Sequence, residues 1–294
     1  MDFENRLPDE TVNYSTEHPL KEFTWLVVGA LGTVAVVTAL IGFFAGEIAA
    51  RLPFSTENDF ASGITRHWEE ETRDAQAEEA RLALRAIAAK LTPVMGLPEG
   101  MQVNVHYSAG MTPNAFATLG GNVVFYRGLL VKFASEDAVA TVLAHEIAHA
   151  KLRHPASSLG RGIAVGLTLS ALSSGMGESV AGGALQTAGT LPLLKYSRDQ
   201  ESAADAEAFA AVAKVYGHVG GAKETFTELA KIGGGGYSPA FLQTHPLSLE
   251  RVAAAERTAR ERGWALDGPR TPLPPGLAAL KPAEAVKPAA SAAQ

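Results

Sequence analysis

The chain has no cysteine. That removes disulfides, thiolate metal ligands and a cysteine nucleophile. Any metal site must then be built from His, Asp and Glu. The redox compartment stays open, because a cysteine-free chain tolerates reducing and oxidising surroundings alike. Excess basic charge is missing too: 25 Lys and Arg face 31 Asp and Glu, a formal charge of −6. A nucleic-acid partner favours a basic face, so none is expected. Long apolar runs are scarce. Residues 25–46, WLVVGALGTVAVVTALIGFFAG, form one that carries no charge. As a helix it reaches ~33 Å, slightly more than the hydrocarbon core of a bilayer. Trp25, Phe43 and Phe44 sit near its ends, where aromatic rings favour the interface. A cleaved signal peptide has a shorter apolar core and a basic start. Here the 24 residues before the run are acidic. A retained transmembrane helix is expected. Arg6 and Lys21 precede it and Arg51 and Arg66 follow it, so basic residues give no orientation.

With 294 residues, the chain has room for one sizeable domain plus appendages. Residues 1–24 read as a polar tail. Residues 64–91 have the pattern of one long amphipathic helix, with Leu82, Leu84, Ile87 and Leu91 as its stripe and Pro93 beyond. Residues 101–107 alternate like a strand, and 114–128 read as two short strands around Gly120–Gly121. Ser135 is a helix cap followed by Glu136 and Asp137, whose charges suit a helix start. That helix is expected to stop near Pro155. Residues 159–194 are Gly-rich and apolar. Their uncharged pieces, 162–177 and 179–194, have 16 residues each, short for a span. Buried or interfacial helices are therefore expected in preference to a membrane-dipping hairpin. A polar helix follows from Ser197, then a mobile tetraglycine at 233–236, then a helix over about 246–262. From 263 to 294 Pro and Ala dominate, and a disordered tail is expected.

The chemistry concentrates in HEIAH, residues 145–149. Positions four apart share a helix face, so His145 and His149 can aim two ring nitrogens at one ion. Neutral imidazole suits zinc. Glu146 lies beside the pair, where its carboxylate can reach a water without ligating the metal. The rival reading is a surface helix with two solvated histidines. Val142, Leu143, Ala144, Ile147 and Ala148 weaken it, because a helix apolar nearly all round is a buried one. A catalytic zinc needs a third protein ligand. In SRDQESAAD, Glu201 can ligate, and Asp205, one turn later, can accept the spare N–H of a ligating histidine. The remaining histidines have no partner at metal spacing. His18 and His67 read as solvated, His106 lies on a strand, His154 ends the zinc helix as a dipole-favoured cation, and His218 follows a helix.

HEIAH followed by a Glu-x-x-x-Asp helix resembles the gluzincin metallopeptidases. Three flanking stretches, NAFATLGGNVVFYRGLL (114–130), SRDQESAAD (197–205) and THPLSLER (244–251), narrow the resemblance to the HtpX, CAAX prenyl protease and Oma-type group. It covers about residues 60–262. It implies an α+β fold, mainly α with a small sheet, zincin-like, and an endopeptidase binding one Zn²⁺ at or near a membrane. By resemblance, His145, His149 and Glu201 are the zinc ligands, Glu146 the base, and Asp205 the carboxylate behind a ligand. Asn114, Ala115 and Phe116 resemble an edge strand that holds an unfolded or extended polypeptide by its backbone. His245 resembles the histidine that faces the zinc and stabilises the oxyanion, and Arg251 an arginine braced near the Glu-x-x-x-Asp helix. Neutral His ligates zinc readily, so His245 could also occupy the open zinc position at rest. The expected protein is a single-pass enzyme of a bacterial inner membrane. Residues 25–46 lie in the lipid, the catalytic domain faces the periplasm, and the role is in envelope quality control. The rival is an inactive zinc-bound membrane adaptor, against which the intact Glu146 argues.

Overall fold

A computed structural model describes residues 18–71, 74–173, 196–233, 240–246 and 249–281. Helix α1 (Pro19–Ala49) contains the apolar run and extends it at both ends. Among the described residues it is the helix long and apolar enough to cross a membrane. Two helices, not one, then follow. The expected helix over 64–91 is split into α2 (Phe54–Glu71) and α3 (Ala75–Met95), because Asp74 caps α3 and accepts the Ala77 N–H at 2.6 Å. The core face of α3 uses Ala77, Ala80, Leu84, Ile87, Ala88, Leu91 and Met95. Leu82 is left 55% exposed, since alanines fill the turn that it was expected to fill. Pro93 lies inside α3, which ends on Gly96 in the left-handed region.

Three strands follow: β1 (Asn104–Ser108), β2 (Ala115–Ala117) and β3 (Asn122–Tyr126). Their order is β1-β3-β2, with β1 parallel and β2 antiparallel to β3. β2 is thus an edge. The turn between β2 and β3 needs its glycines: both Gly120 and Gly121 have positive φ. A Cβ on Gly120 would meet Asn58 Oδ1 at 2.2 Å, and one on Gly121 would meet Gln102 O at 2.1 Å.

The short α4 (Arg127–Leu130) leads to α5 (Glu136–Lys151), the histidine helix. Ser135 caps it as expected, with Oγ accepting the Ala138 N–H. Every residue from Glu136 to Ala150 is buried. The core forms where α5 packs between α3, the inner face of the sheet and α7 (Arg198–Tyr216). α7 opens on a reciprocal cap: Ser197 Oγ accepts from Gln200 N, and Gln200 Oε1 from Ser197 N. Before it, α5 does not simply stop. Arg153 takes a positive φ, and α6 (His154–Ser173) starts at once with Pro155 in its first turn, where a missing N–H costs little. α6 packs along α1. The second half of the expected 159–194 segment lies outside the described residues. So do three of the four glycines of the tetraglycine; the first, Gly233, ends α8 (Gly220–Gly233).

α9 (Ala240–Thr244) and α10 (Leu249–Arg262) complete the domain, α10 close to the expected bounds. The chain then departs from expectation. Residues 263–281 pack as a strap instead of a tail. Leu277 and Leu280, on and just after α11 (Pro275–Ala278), are buried in the core. Thr271 O accepts the Glu136 N–H at 2.9 Å, satisfying one of the free donors at the start of α5. Asp137 returns the contact by accepting Thr271 N at 2.6 Å. Composition hid two core leucines and a backbone clamp within a Pro-rich segment.

Candidate metal centre

α5 presents His145 and His149 on one face, and their Nε2 atoms lie 3.0 Å apart. Glu201, from the first turn of α7, places Oε1 3.4 Å from His149 Nε2 and Oε2 3.5 Å from His145 Nε2. His245, just after α9, adds Nδ1 at 3.3 Å from His145 Nε2 and 2.9 Å from Glu201 Oε1. All four ligand atoms lie within 4.8 Å of one another, and all four residues are buried. A tetrahedron with ~2.1 Å bonds has edges of ~3.4 Å, so these separations match those of groups that share one zinc. Two buried polar atoms beside the cluster, Glu146 Oε1 and His245 Nε2, make no hydrogen bond and face each other at 3.5 Å. Buried polar groups are normally satisfied, and orphans aimed at a donor cluster fit a site built for an ion and its water.

The surroundings set the charge. Burial opposes a charge on His145, but the Asp205 and Glu201 carboxylates outweigh it and raise the ring to about 10. A metal cation takes the place of that proton between the same carboxylates. Burial and the charge on His145 hold His149 well below its ordinary value, which keeps its lone pair free. Burial also pushes the Glu146 carboxyl up, against the pull of His245 and His145. Its Oε2 is anchored by the Ala117 N–H at 2.9 Å.

Behind the ligands, Asp205 Oδ1 lies 3.0 Å from His145 Nδ1. Arg251 grips Asp205 through Nε at 2.8 Å and Nη2 at 2.9 Å, and places Nη1 2.7 Å from Glu201 Oε2. Burial opposes the Asp205 charge, but Arg251 and His145 outweigh it and hold the carboxyl low. Every residue expected at the metal is brought together, along with Asp205 and Arg251. Asn114, Ala115 and Phe116 lie on or just before the edge strand β2, next to the Ala117 that contacts Glu146. They are buried at 4%, 0% and 3%, so the strand edge is covered.

Sequence reasoning missed His154. It is not the dipole-favoured cation expected at a helix end: burial lowers it to about 4, and its Nδ1 lies 2.9 Å from His149 Nδ1. A ligating His149 offers Nε2 to the metal and so carries its proton on Nδ1, which His154 accepts. The signal was the nine-residue offset from His145 across a break that Pro155 had marked only as an end. Tyr196 was missed as well; its ring stacks on His149 at 4.1 Å. Two other histidines are structural. His106 bonds Asn122 Oδ1 at 2.9 Å, and His218 bonds Pro269 O at 3.0 Å.

The profile of peptidase family M48 matches residues 78–259, more than half of the chain. The chain therefore belongs to that family of zinc metallopeptidases. It is 31% identical over 158 residues to a putative beta-barrel assembly-enhancing protease of Vibrio cholerae, covering 50% of this chain and 33% of that one. It is 29% identical over 178 residues to mitochondrial metalloendopeptidase OMA1 of Schizosaccharomyces pombe, covering 60% and 52%. With metalloprotease YcaL of Escherichia coli the identity is 31% over 160 residues, covering 50% and 59%. The chain thus spans between a third and three-fifths of the length of these relatives.

Proposed function

We propose that this protein is a membrane-anchored zinc metalloendopeptidase that cleaves internal peptide bonds of extended polypeptides. The observation that carries it is the position of Glu146. It is fully buried beside four converging ligand atoms, and its carboxylate is tied to the backbone of the edge strand. His145, His149 and Glu201 would hold the metal, and zinc there would supply an acidified water and polarise the scissile carbonyl. Glu146 takes the proton of the attacking water on Oε1, which makes no hydrogen bond, and delivers it to the leaving amine. Asp205 fixes the His145 ring by accepting from Nδ1, and His154 does the same for His149.

His245 has two positions in this scheme. Its Nδ1 lies among the ligand atoms, so at rest it would be placed to hold the metal together with His145, His149 and Glu201. When substrate enters, the ring withdraws and donates to the developing oxyanion. The substrate lies along β2, backbone to backbone, with Asn114, Ala115 and Phe116 as its partners. That requires the covered edge to open. α1 carries the enzyme in a bacterial inner membrane with the domain in the periplasm, where envelope protein quality control is the fitting role.

The purified full-length chain in proteoliposomes tests the reading. It should cleave unfolded casein, stop with a chelator and recover with zinc. Zinc binding without any cleavage would favour the inactive adaptor.

A further inference from the structure

α1 and α6 are packed with their backbones close. A Cβ on Gly46 would stand 2.8 Å from Arg161 Cγ and 3.0 Å from Ser157 O. A Cβ on Gly160 would stand 2.6 Å from Ala45 O and 2.7 Å from Ala49 Cβ. Small residues at such a crossing are how helices approach each other where no hydrophobic effect can drive them together. The pairing also has a direction. Arg153 Nε bonds Ala50 O, Gly46 faces Ser157, and Gly42 faces Arg161 O and Val165. α6 therefore runs antiparallel to α1, back along the apolar run. At 1.5 Å per residue its 20 residues cover ~30 Å, reaching about the level of residue 30 on α1.

An element so placed shares whatever medium surrounds α1. The outer face of α1 is bare: Val36, Val37, Leu40, Ile41, Phe43 and Phe44 are 44% to 59% exposed. α6 carries exposed apolar side chains on either side of its contact with α1, Ile163 at 42% and Val165 at 37%, flanking the buried Ala164. Its one charged residue, Arg161, stands level with Gly46, where the apolar run ends. The guanidinium turns back toward the start of α6, donating to Ser157 Oγ at 2.9 Å and Ser158 Oγ at 3.1 Å. A long cation at a membrane boundary points its head out of the lipid in this way.

We propose that α6 enters the bilayer beside α1 as a second membrane-embedded helix, from Arg161 onward, with Ile163 and Val165 against lipid acyl chains. The proposal rests on the reading of α1 as the membrane anchor. The length argument from the sequence took 162–177 as a segment that must cross alone. A helix paired with a neighbour can enter partway, with its backbone bonds satisfied internally. The consequence is positional. Only Leu152 and Arg153 separate α6 from the histidine helix. The metal centre is therefore fixed to the membrane surface by two helices and does not hang from one tether.

The absence of cysteine makes the test direct. Single cysteines are placed in the full-length chain in proteoliposomes: Val36→Cys and Leu40→Cys on α1, Ile163→Cys and Val165→Cys on α6, and Leu82→Cys on the exposed face of α3. A membrane-impermeant maleimide should label position 82 rapidly. Positions 163 and 165 should react at least ~10-fold more slowly, like 36 and 40, as expected for groups facing hydrocarbon. A fluorophore attached at 163 or 165 in detergent, before reconstitution, should be quenched by brominated acyl chains. Rapid labelling at 163 and 165 with 36 and 40 protected would overturn the α6 proposal and leave the anchor standing. Rapid labelling at 36 and 40 as well would overturn the anchor, and the proposal with it.

Discussion

Arg251→Met removes one cation from between two buried carboxylates. Arg251 is 12% exposed, and its partners Asp205 and Glu201 are 10% and 3% exposed. Breaking a buried pair by deleting one member costs ~3–5 kcal/mol, because the other charge stays behind. In a domain of this size each kcal/mol moves Tm by ~2–4 °C, so the metal-free variant should melt ~6–20 °C below wild type. Zinc changes the comparison. A dication restores positive charge to the carboxylates that lost Arg251, so added zinc should raise Tm more in the variant than in wild type. The pH dependence has a fixed sign. The folded value of Asp205 lies below its unfolded value. The pair's contribution is thus complete above ~pH 4 and fades as pH falls through the lowered folded value, so the gap between variant and wild type should narrow in acid. The assay is calorimetry with chelator and with zinc, at neutral and acidic pH. A metal-free variant melting within ~2 °C of wild type, or a smaller zinc shift in the variant, would refute the reasoning.

Glu201→Ala should lose most zinc at stoichiometric loading, whereas His154→Ala should lower zinc affinity by ~10–100-fold, recovered by an acceptor such as His154→Asn; competition against a chromophoric chelator separates the two. His245→Ala should retain zinc and, if the ring fills the fourth place at rest, bind a small hydroxamate more tightly than wild type by calorimetric titration. Equal or weaker binding would leave His245 only the oxyanion role. Truncation after Arg262 removes the buried Leu277 and Leu280, and should cost ~3–6 kcal/mol by their apolar area alone; denaturant unfolding reads the loss, and unchanged stability would contradict the strap.

The donor set was legible because its spacing is tied to helix period. His145, Glu146 and His149 depend only on i and i+4, and Glu201 with Asp205 on the same rule. The caps at Ser135 and Ser197 were legible because each is a local side-chain bond. His245 and Arg251 came from resemblance alone, since their contacts to the site cross about 100 and 46 residues of chain. His154 was hidden by a backbone event. The positive φ at Arg153 ends one helix and aims the next so that the ring returns to His149. The break before α3 was missed because EEETRD (69–74) reads as polar helix surface, and only the Asp74 cap marks it. The strap over 263–281 and the α1–α6 pairing both depend on tertiary contacts of Leu, Gly and Ala, which carry no local signature.

Glu146→Gln tests the central claim most directly. The amide matches the carboxylate in shape and can keep an acceptor toward the Ala117 N–H, but it cannot take the proton of water. Zinc content and peptide hydrolysis should be measured side by side on the full-length variant and on wild type. The account requires one zinc per chain in both, with turnover lower by at least ~100-fold in the variant. Normal turnover with zinc bound would contradict it.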